Sequence, residues 1–184
     1  MQVKTKAQNS ADSALGTRNR AVLGQLSDMD LRLLKVFKSV VDCGGMAAAE
    51  LELNIGTSTV SRHVKDLETR LAEALPWVLL TYPDLDWAWL ISQAKLRDAQ
   101  NRLGFLVAVA KVLAASRPEL QPAVAQLVVV EQQLERARLV REDTLCRDSM
   151  PAAERRWLET NRSPLARHWN LLTGLAADQL AYAS

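Results

Sequence analysis

The chain has little of what most catalytic or metal-binding sites require. Its 184 residues include only two histidines, His63 and His168, and two cysteines, Cys43 and Cys146. The cysteines lie about a hundred residues apart and match no metal-ligand spacing, so we expect free thiols in a reducing compartment. The sequence has no HExxH motif, no glycine-rich phosphate loop and no recognisable Ser-His-Asp set. It therefore predicts no metal site, no cofactor and no enzyme.

A strong charge bias and long apolar runs are also missing. The formal net charge is +2, and the longest apolar runs, such as Phe105 to Ala110, are far too short to cross a bilayer. No charged segment followed by an apolar stretch opens the chain, which predicts no signal peptide. With 48% hydrophobic and 24% charged residues, the composition is typical of a globular protein, and we expect it in the cytoplasm without membrane contact.

Two helices with clear end signals open the ordered part of the chain. Ser27 is a good N-cap, and a helix to about Asp42 should end at Gly44-Gly45, because glycine adopts the left-handed cap conformation at little cost. The expected buried stripe of this helix is Met29, Leu33, Leu34, Val36, Phe37, Val40 and Val41. A second, alanine-rich helix should run from Met46 to Leu53, with Asn54 at a positive φ in the following turn.

A third helix, from about Thr57 to Ala74, has two unlike faces. Val60, Val64, Leu67 and Leu71 recur at steps of 4, 3 and 4, so they should form a buried face. Hydroxyl and cationic side chains cluster at its start, and they are Thr57, Ser58, Thr59, Ser61, Arg62, His63 and Lys65. Such a polar start is typical of a recognition helix, whose first turns contact base edges and phosphates in a DNA major groove. The alternative for Arg62 is a surface ion pair with Asp66, four residues on.

The segment from Leu31 to Leu71 resembles the N-terminal helix-turn-helix of LysR-type transcriptional regulators. The resemblance rests on an opening of Asp30-Leu31-Arg32-Leu33-Leu34 with Phe37, the Gly44-Gly45 break, and alanines 47–49. It continues in the third helix, where the matching residues are Ser58, Val60, Ser61, Arg62, Val64, Leu67, Glu68 and Leu71. It implies that the surface from Thr57 to Lys65 faces double-stranded DNA.

The rest of the family pattern is missing. Residues 72–77 replace the basic wing, and we find neither the long dimerising linker helix nor the effector domain, so ligand-gated regulation is not implied. Residues 1–72 carry 10 Lys or Arg against 8 Asp or Glu, whereas residues 73–184 carry 13 of each. The phosphate contacts would therefore have to come from a local patch, which consists of Arg62, His63, Lys65 and either Lys35 or Lys38. A homodimer would double the positive charge that this patch presents to DNA.

The second half is predicted to be helical but is not recognised. Pro76 should end the third helix, with residues 77–82 as a short apolar connector. We expect five helices after the connector. The first runs from Leu85, with Asp84 as its cap, to about Ser116, and the second from Pro118 to about Leu145. Three shorter helices should follow: one around Trp157, one from Ser163 to near Gly174, and a last one over 175–182. All five tryptophans lie here, and of Trp87 and Trp89 one should face inward and the other a partner or another helix. No convincing strand is found.

The sequence thus predicts an all-α protein in which a three-helix helix-turn-helix precedes a helical, bundle-like half. We expect a flexible arm over 1–25, either a disordered leader or an arm reaching a minor groove, a DNA-binding domain over 26–74, and a dimerising or partner-binding domain over 75–184. The predicted function is a dimeric transcriptional regulator that reads the major groove with helix 57–72. The alternatives are an antitoxin-like or adaptor protein with a vestigial helix-turn-helix, which binds partners through its C-terminal helices, and a truncated product without a selected function.

Overall fold

The fold is all-α, as predicted. The structure is a computed structural model that describes residues 27–82, 84–115, 117–146 and 150–181, so the predicted arm over 1–25 lies outside the described residues. The chain divides into two compact units, Met1–Leu67 and Glu68–Ser184, and each is treated by itself below. No helix of the described part is long and apolar enough to cross a membrane.

The first helix, α1 (Asp28–Asp42), begins and ends where the sequence predicts. Ser27 and Asp30 form a capping box, in which the Ser27 hydroxyl accepts from the Asp30 N–H and the Asp30 carboxylate accepts from the Ser27 N–H. At the other end Gly44 has φ 75°, and the Gly45 N–H donates to the Val40 carbonyl, which closes a Schellman motif. Neighbouring residues therefore fix both ends of α1, through a side-chain cap at the start and a glycine turn at the end.

Two more helices complete the first unit. α2 (Met46–Leu53) ends at Asn54, whose φ of 52° confirms the predicted left-handed turn, and α3 begins at Thr57. The core joins all three helices through Val36, Ala49 and Val60, with Val40, Leu53 and Ile55 packed against them. The predicted stripe on α1 is too wide, because only Leu33 and Val36 are buried and four of its members are exposed: Met29, Leu34, Phe37 and Val41.

α3 (Thr57–Thr81) is longer than predicted and continues through Pro76. The predicted end at Pro76 and the connector over 77–82 are therefore wrong. A proline inside a helix costs about 3 kcal/mol, but Pro76 is itself buried, and Leu79 and Leu80 beyond it lie in the core of the second unit. Burying each leucine contributes about 1.5–3 kcal/mol, which offsets the missing hydrogen bond.

The predicted helix over 85–116 is two helices, α4 (Trp87–Leu96) and α5 (Gln100–Ala115). Asp86, and not Asp84, is the N-cap, since its carboxylate accepts from the Trp89 N–H at 2.9 Å. The break lies at Asp98, which has φ 54°, and the Ala99 N–H donates to the Ala94 carbonyl at 2.8 Å. This is a Schellman ending without glycine, which the apolar pattern alone does not indicate.

α5 is the central helix of the second unit, and its buried residues run almost without interruption from Gln100 to Ala110. A short 3-10 turn (Pro118–Leu120) leads into α6 (Gln121–Glu135), which packs along α5. α6 ends ten residues before the predicted end at Leu145. The chain leaves the helix because α5 side chains bind the segment that follows. Asn101 hydrogen-bonds both the N–H and the carbonyl of Leu139, at 2.8 and 2.9 Å.

The end of the described chain is built from short elements. Strand β1 (Asp143–Thr144) pairs in parallel with β2 (Leu171–Leu172), and between them lie α7 (Ala152–Asn161) and α8 (Pro164–His168). Ser163 caps α8 as predicted, but α8 ends at His168 and not near Gly174. Both strands have two residues, too few for a period-2 pattern to show. A last helix, α9, covers Ala177–Ala181.

Candidate nucleic-acid interface

The first turns of α3 separate a buried face from a polar exposed face, as the sequence predicts. Val60, Val64 and Leu67 are buried, and Val60 belongs to the core of the first unit. Leu71, which the sequence assigns to the same buried face, is 54% exposed. The side chains on the other face are exposed or half-buried, and they are Thr57, Ser58, Thr59, Ser61, Arg62 and Lys65.

His63 is the one predicted DNA-contacting residue that the structure moves away from this face. It is 7% exposed, and neither ring nitrogen has a hydrogen-bond partner within the described part of the chain. The reason is helical geometry, because His63 stands three residues after Val60 and therefore lies beside it on the packed side. The correction removes one polar group from the candidate surface.

The turn before α3 is held by hydrogen bonds within the motif. The N–H groups of Thr59 and Val60 both donate to the Gly56 carbonyl, at 2.8 and 3.1 Å. The Thr57 hydroxyl donates to the Glu50 carboxylate and so ties the start of α3 to α2. Thr57 therefore has a structural role in the motif, whereas the Ser58 and Arg62 side chains extend from a fixed backbone.

Arg62 has no ion pair among residues 27–82, so the alternative pairing with Asp66 does not form. Its side chain is exposed on the turn after Ser58. A guanidinium on the outer face of a recognition helix can bind a phosphate or the O6 and N7 acceptors of guanine. Among the predicted surface residues, Arg62 offers the clearest cation for such a contact.

The two candidate lysines on α1 differ in their surroundings. Lys38 is paired with Asp42, and the hydrogen bond and the charge of that carboxylate raise the pKa of Lys38 above its usual value. Lys35 is exposed and forms no ion pair in the described part of the chain. Because a lysine held by a carboxylate must give up that partner before it can bind a phosphate, Lys35 is the better candidate of the two.

Three consecutive helices, a left-handed turn at Asn54 and the two-faced start of the third helix define a helix-turn-helix, the class of domain that binds DNA through its last helix. Residues 31–75 match the family described as bacterial regulatory helix-turn-helix protein, lysR family. The resemblance found in the sequence is confirmed: this segment is a LysR-type helix-turn-helix, which is a DNA-binding element of transcriptional regulation.

One curated relative matches the same region. Over 53 residues the chain is 51% identical to the HTH-type transcriptional activator BauR of Pseudomonas aeruginosa. The match covers 29% of this chain and spans 17% of the length of that protein. No solved structure matches the chain. The likeness therefore concerns the helix-turn-helix, and residues 76–184 lie outside the family match.

Proposed function

We propose that this protein is a cytoplasmic, dimeric transcriptional regulator that binds double-stranded DNA with the first turns of α3 in the major groove. The observation that carries the proposal is the two-faced start of this helix. Val60 fixes it to the core of the first unit and Val64 is buried one turn on, while Ser58, Ser61 and Arg62 remain on the accessible side. The LysR-type match over residues 31–75 supports the same function.

The surface residues have distinct proposed roles. Arg62 binds guanine or a phosphate, and the hydroxyls of Ser58, Thr59 and Ser61 donate to phosphate oxygens or base acceptors. Lys65, one turn further along α3, contacts the phosphate backbone of the DNA. The Thr57 and Ser58 N–H groups add to this, because the first N–H groups of a helix have no carbonyl one turn before them within the helix and attract anions. The next two, of Thr59 and Val60, are already bound to the Gly56 carbonyl. Thr57 stays bound to Glu50 and positions the helix.

Fluorescence anisotropy with a labelled random duplex at low salt tests the proposal. We expect wild-type binding to weaken with salt, and Arg62→Ala and Ser58→Ala to weaken it further at each salt concentration. Arg156→Ala is the matched control, since Arg156 is exposed on α7 without an ion pair in the described chain. The proposal is lost if wild type binds duplex DNA no better than Arg62→Ala, or if both arginine variants have the same effect.

The alternative function, a helical protein-interaction module, is supported by one observation in the second unit. Trp87 packs against the core, but Trp89 and Trp157 are more than half exposed, and tryptophan is enriched at protein interfaces. If this alternative is correct, the protein co-purifies with a stoichiometric partner and shows no salt-dependent DNA binding. The partner would be lost in Trp89→Ala while Arg62→Ala would keep it.

A further inference from the structure

The second unit contains a cavity of about 260 Å³. Its lining includes residues 144–146 and 172–175, so the cavity lies where the two parallel strands β1 and β2 end. Its sides are formed by residues of α3 and α7, and these are Thr69, Ala72, Glu73, Glu154, Trp157 and Leu158. Pockets for drug-sized ligands usually have about 300–1,000 Å³. This cavity is slightly smaller, so it has room for a small molecule.

The cavity has an apolar floor and a polar rim. Ala72, Leu145, Leu158 and Leu172 line it and are all buried. The polar residues at its rim include Thr69 and Gln179, which are exposed. Ligand sites commonly combine an apolar lining with a few polar groups that orient the ligand. The arrangement therefore fits a molecule with an apolar body and one polar end.

The charges in the lining are all of one sign. Among the described residues that line the cavity, Glu73 and Glu154 are the charged ones, and no lysine, arginine or histidine joins them. Glu154 has a partner of its own, whereas the half-buried Glu73 side chain forms no hydrogen bond or ion pair in the described chain. Arg155, next to Glu154, binds Glu142 at 2.9 Å. A cleft lined by carboxylates attracts cations and repels anions, so the polar end of the ligand should be positive.

An exposed indole ring in the lining favours the same kind of ligand. Trp157 is 59% exposed although it lines the cavity, and the face of a tryptophan ring attracts cations more strongly than that of any other aromatic side chain. We propose that the cavity binds a small organic cation, in which a protonated amine is attached to an apolar body. The Glu73 carboxylate accepts a hydrogen bond from the ammonium group, the Trp157 ring contacts the cation, and the buried floor contacts the apolar body. This inference goes beyond DNA binding and does not depend on it.

Three probes of nearly the same shape test the charge preference of the cavity. Benzylamine, benzyl alcohol and benzoate are titrated into the full-length chain at neutral pH, and binding is followed by ligand-observed NMR. We expect benzylamine to bind about tenfold more tightly than benzyl alcohol, because a hydrogen bond to a charged group is stronger than one between neutral groups. Benzoate should bind least, since its carboxylate faces Glu73. Equal binding of the three probes, or tightest binding of benzoate, overturns the proposal.

Two pairs of variants locate the binding site. Glu73→Gln should raise the dissociation constant of benzylamine about tenfold and leave that of benzyl alcohol unchanged. Glu159→Gln is its control, since Glu159 is exposed on α7 outside the lining. Trp157→Ala should weaken benzylamine binding about threefold or more, and Trp89→Ala, which removes an exposed indole of α4, should not. Circular dichroism should show all four variants as helical as wild type.

The variants also define what would contradict the proposal. A Glu73→Gln protein that binds benzylamine as wild type does, or that loses benzyl alcohol to the same extent, overturns it. So does a control variant that weakens benzylamine binding as much as its partner in the pair. None of these titrations contains DNA. A protein that binds benzylamine as expected but binds no duplex therefore retains the ligand site and loses only the DNA-binding function.

Discussion

Gly104 of α5 lies directly against the indole ring of Trp169, which follows α8. A Cβ atom at position 104 would stand 2.6 Å from Cε3 of Trp169, and nearer still to Cζ3 and Cη2. Trp169 is fully buried, and so is Phe105 beside the glycine. The tryptophan can approach α5 only because residue 104 has no side chain. The contact joins two segments that are 65 residues apart in the sequence.

We therefore expect Gly104→Ala to destabilise the second unit by about 1–3 kcal/mol, as overpacking of a core generally does. Gly174→Ala is the control, because its added Cβ meets no atom nearer than 3.9 Å, and its effect should stay within about 0.5 kcal/mol. Chemical denaturation followed by circular dichroism measures both. A Gly104→Ala protein as stable as wild type would show that the indole ring can move aside.

The same contact predicts coupling between the two positions. Trp169→Phe removes ring atoms that would collide with an alanine at 104, so the double variant should be more stable than the sum of the single effects predicts. The expected coupling is about 1 kcal/mol or more, within the range seen for residues in contact. A double-mutant cycle measures it, and strict additivity would contradict the proposed steric cause.

Asn101→Ala should be among the most destabilising polar substitutions in the chain. The buried Asn101 side chain replaces the helical hydrogen bonds of Leu139, and its loss leaves the Leu139 N–H unsatisfied. An unmade buried hydrogen bond costs about 1–3 kcal/mol, and two bonds are involved. Asn161→Ala is the control, because exposed Asn161 makes one bond, to the Trp157 carbonyl. We expect less than about 1 kcal/mol there, and equal losses for the two variants would contradict this account.

Acid should weaken the second unit through Asp143 and Glu135. Burial raises the pKa of Asp143, but the paired Arg102 guanidinium and the Thr144 N–H outweigh it and hold that pKa below its ordinary value. Burial raises the pKa of Glu135 as well, but the hydrogen bonds with His168 and Arg138 outweigh burial and hold that pKa below its ordinary value. A carboxyl group whose pKa is lower in the folded than in the unfolded state stabilises the fold at pH values above its unfolded-state pKa, which is about 4. This stabilisation is lost as the pH falls through the folded-state pKa.

The measurement is the free energy of unfolding between about pH 6 and pH 2. This range contains both the ordinary carboxyl pKa values and the depressed values of the folded state. Asp143→Asn should lower stability at pH 6 and flatten its decline with acid. Asp178→Asn, which changes an exposed carboxylate in α9, should leave the decline as it is in wild type. An Asp143→Asn protein whose stability falls as steeply as that of wild type would show that other groups govern the acid response.

The capping box of α1 predicts a cost for losing one hydroxyl. Ser27→Ala removes the acceptor for the Asp30 N–H, and we expect about 1 kcal/mol of lost stability in the first unit. Ser92→Ala is the control, because Ser92 is exposed in the middle of α4 and its side chain makes no hydrogen bond in the described chain. Hydrogen exchange of the α1 amides separates this effect from the second unit. Unchanged exchange in Ser27→Ala would contradict the role of the cap.

The helix-turn-helix was largely predictable because its signals are local. Each signal acts on residues close to it in the sequence. The cap at Ser27 and the turns at Gly44 and Asn54 show where helices begin and end, and the spacing from Val60 to Leu67 shows which face of the third helix is buried. The second unit was less predictable for the opposite reason. Its helix ends at Leu96 and Glu135 depend on Asp98 adopting a left-handed conformation and on Asn101 binding Leu139, a contact over 38 residues.

By itself, the sequence determined the helical class, the position of the helix-turn-helix and the polar start of its third helix. These follow from periodicity and capping, which require no knowledge of distant residues. Only the tertiary structure decided that α3 passes Pro76, that His63 is buried, and that Trp169 lies against Gly104. Those outcomes depend on which surfaces meet, because burial of apolar groups can outweigh a proline within a helix, and because packing decides how far the buried face of α3 extends around Val60 to His63.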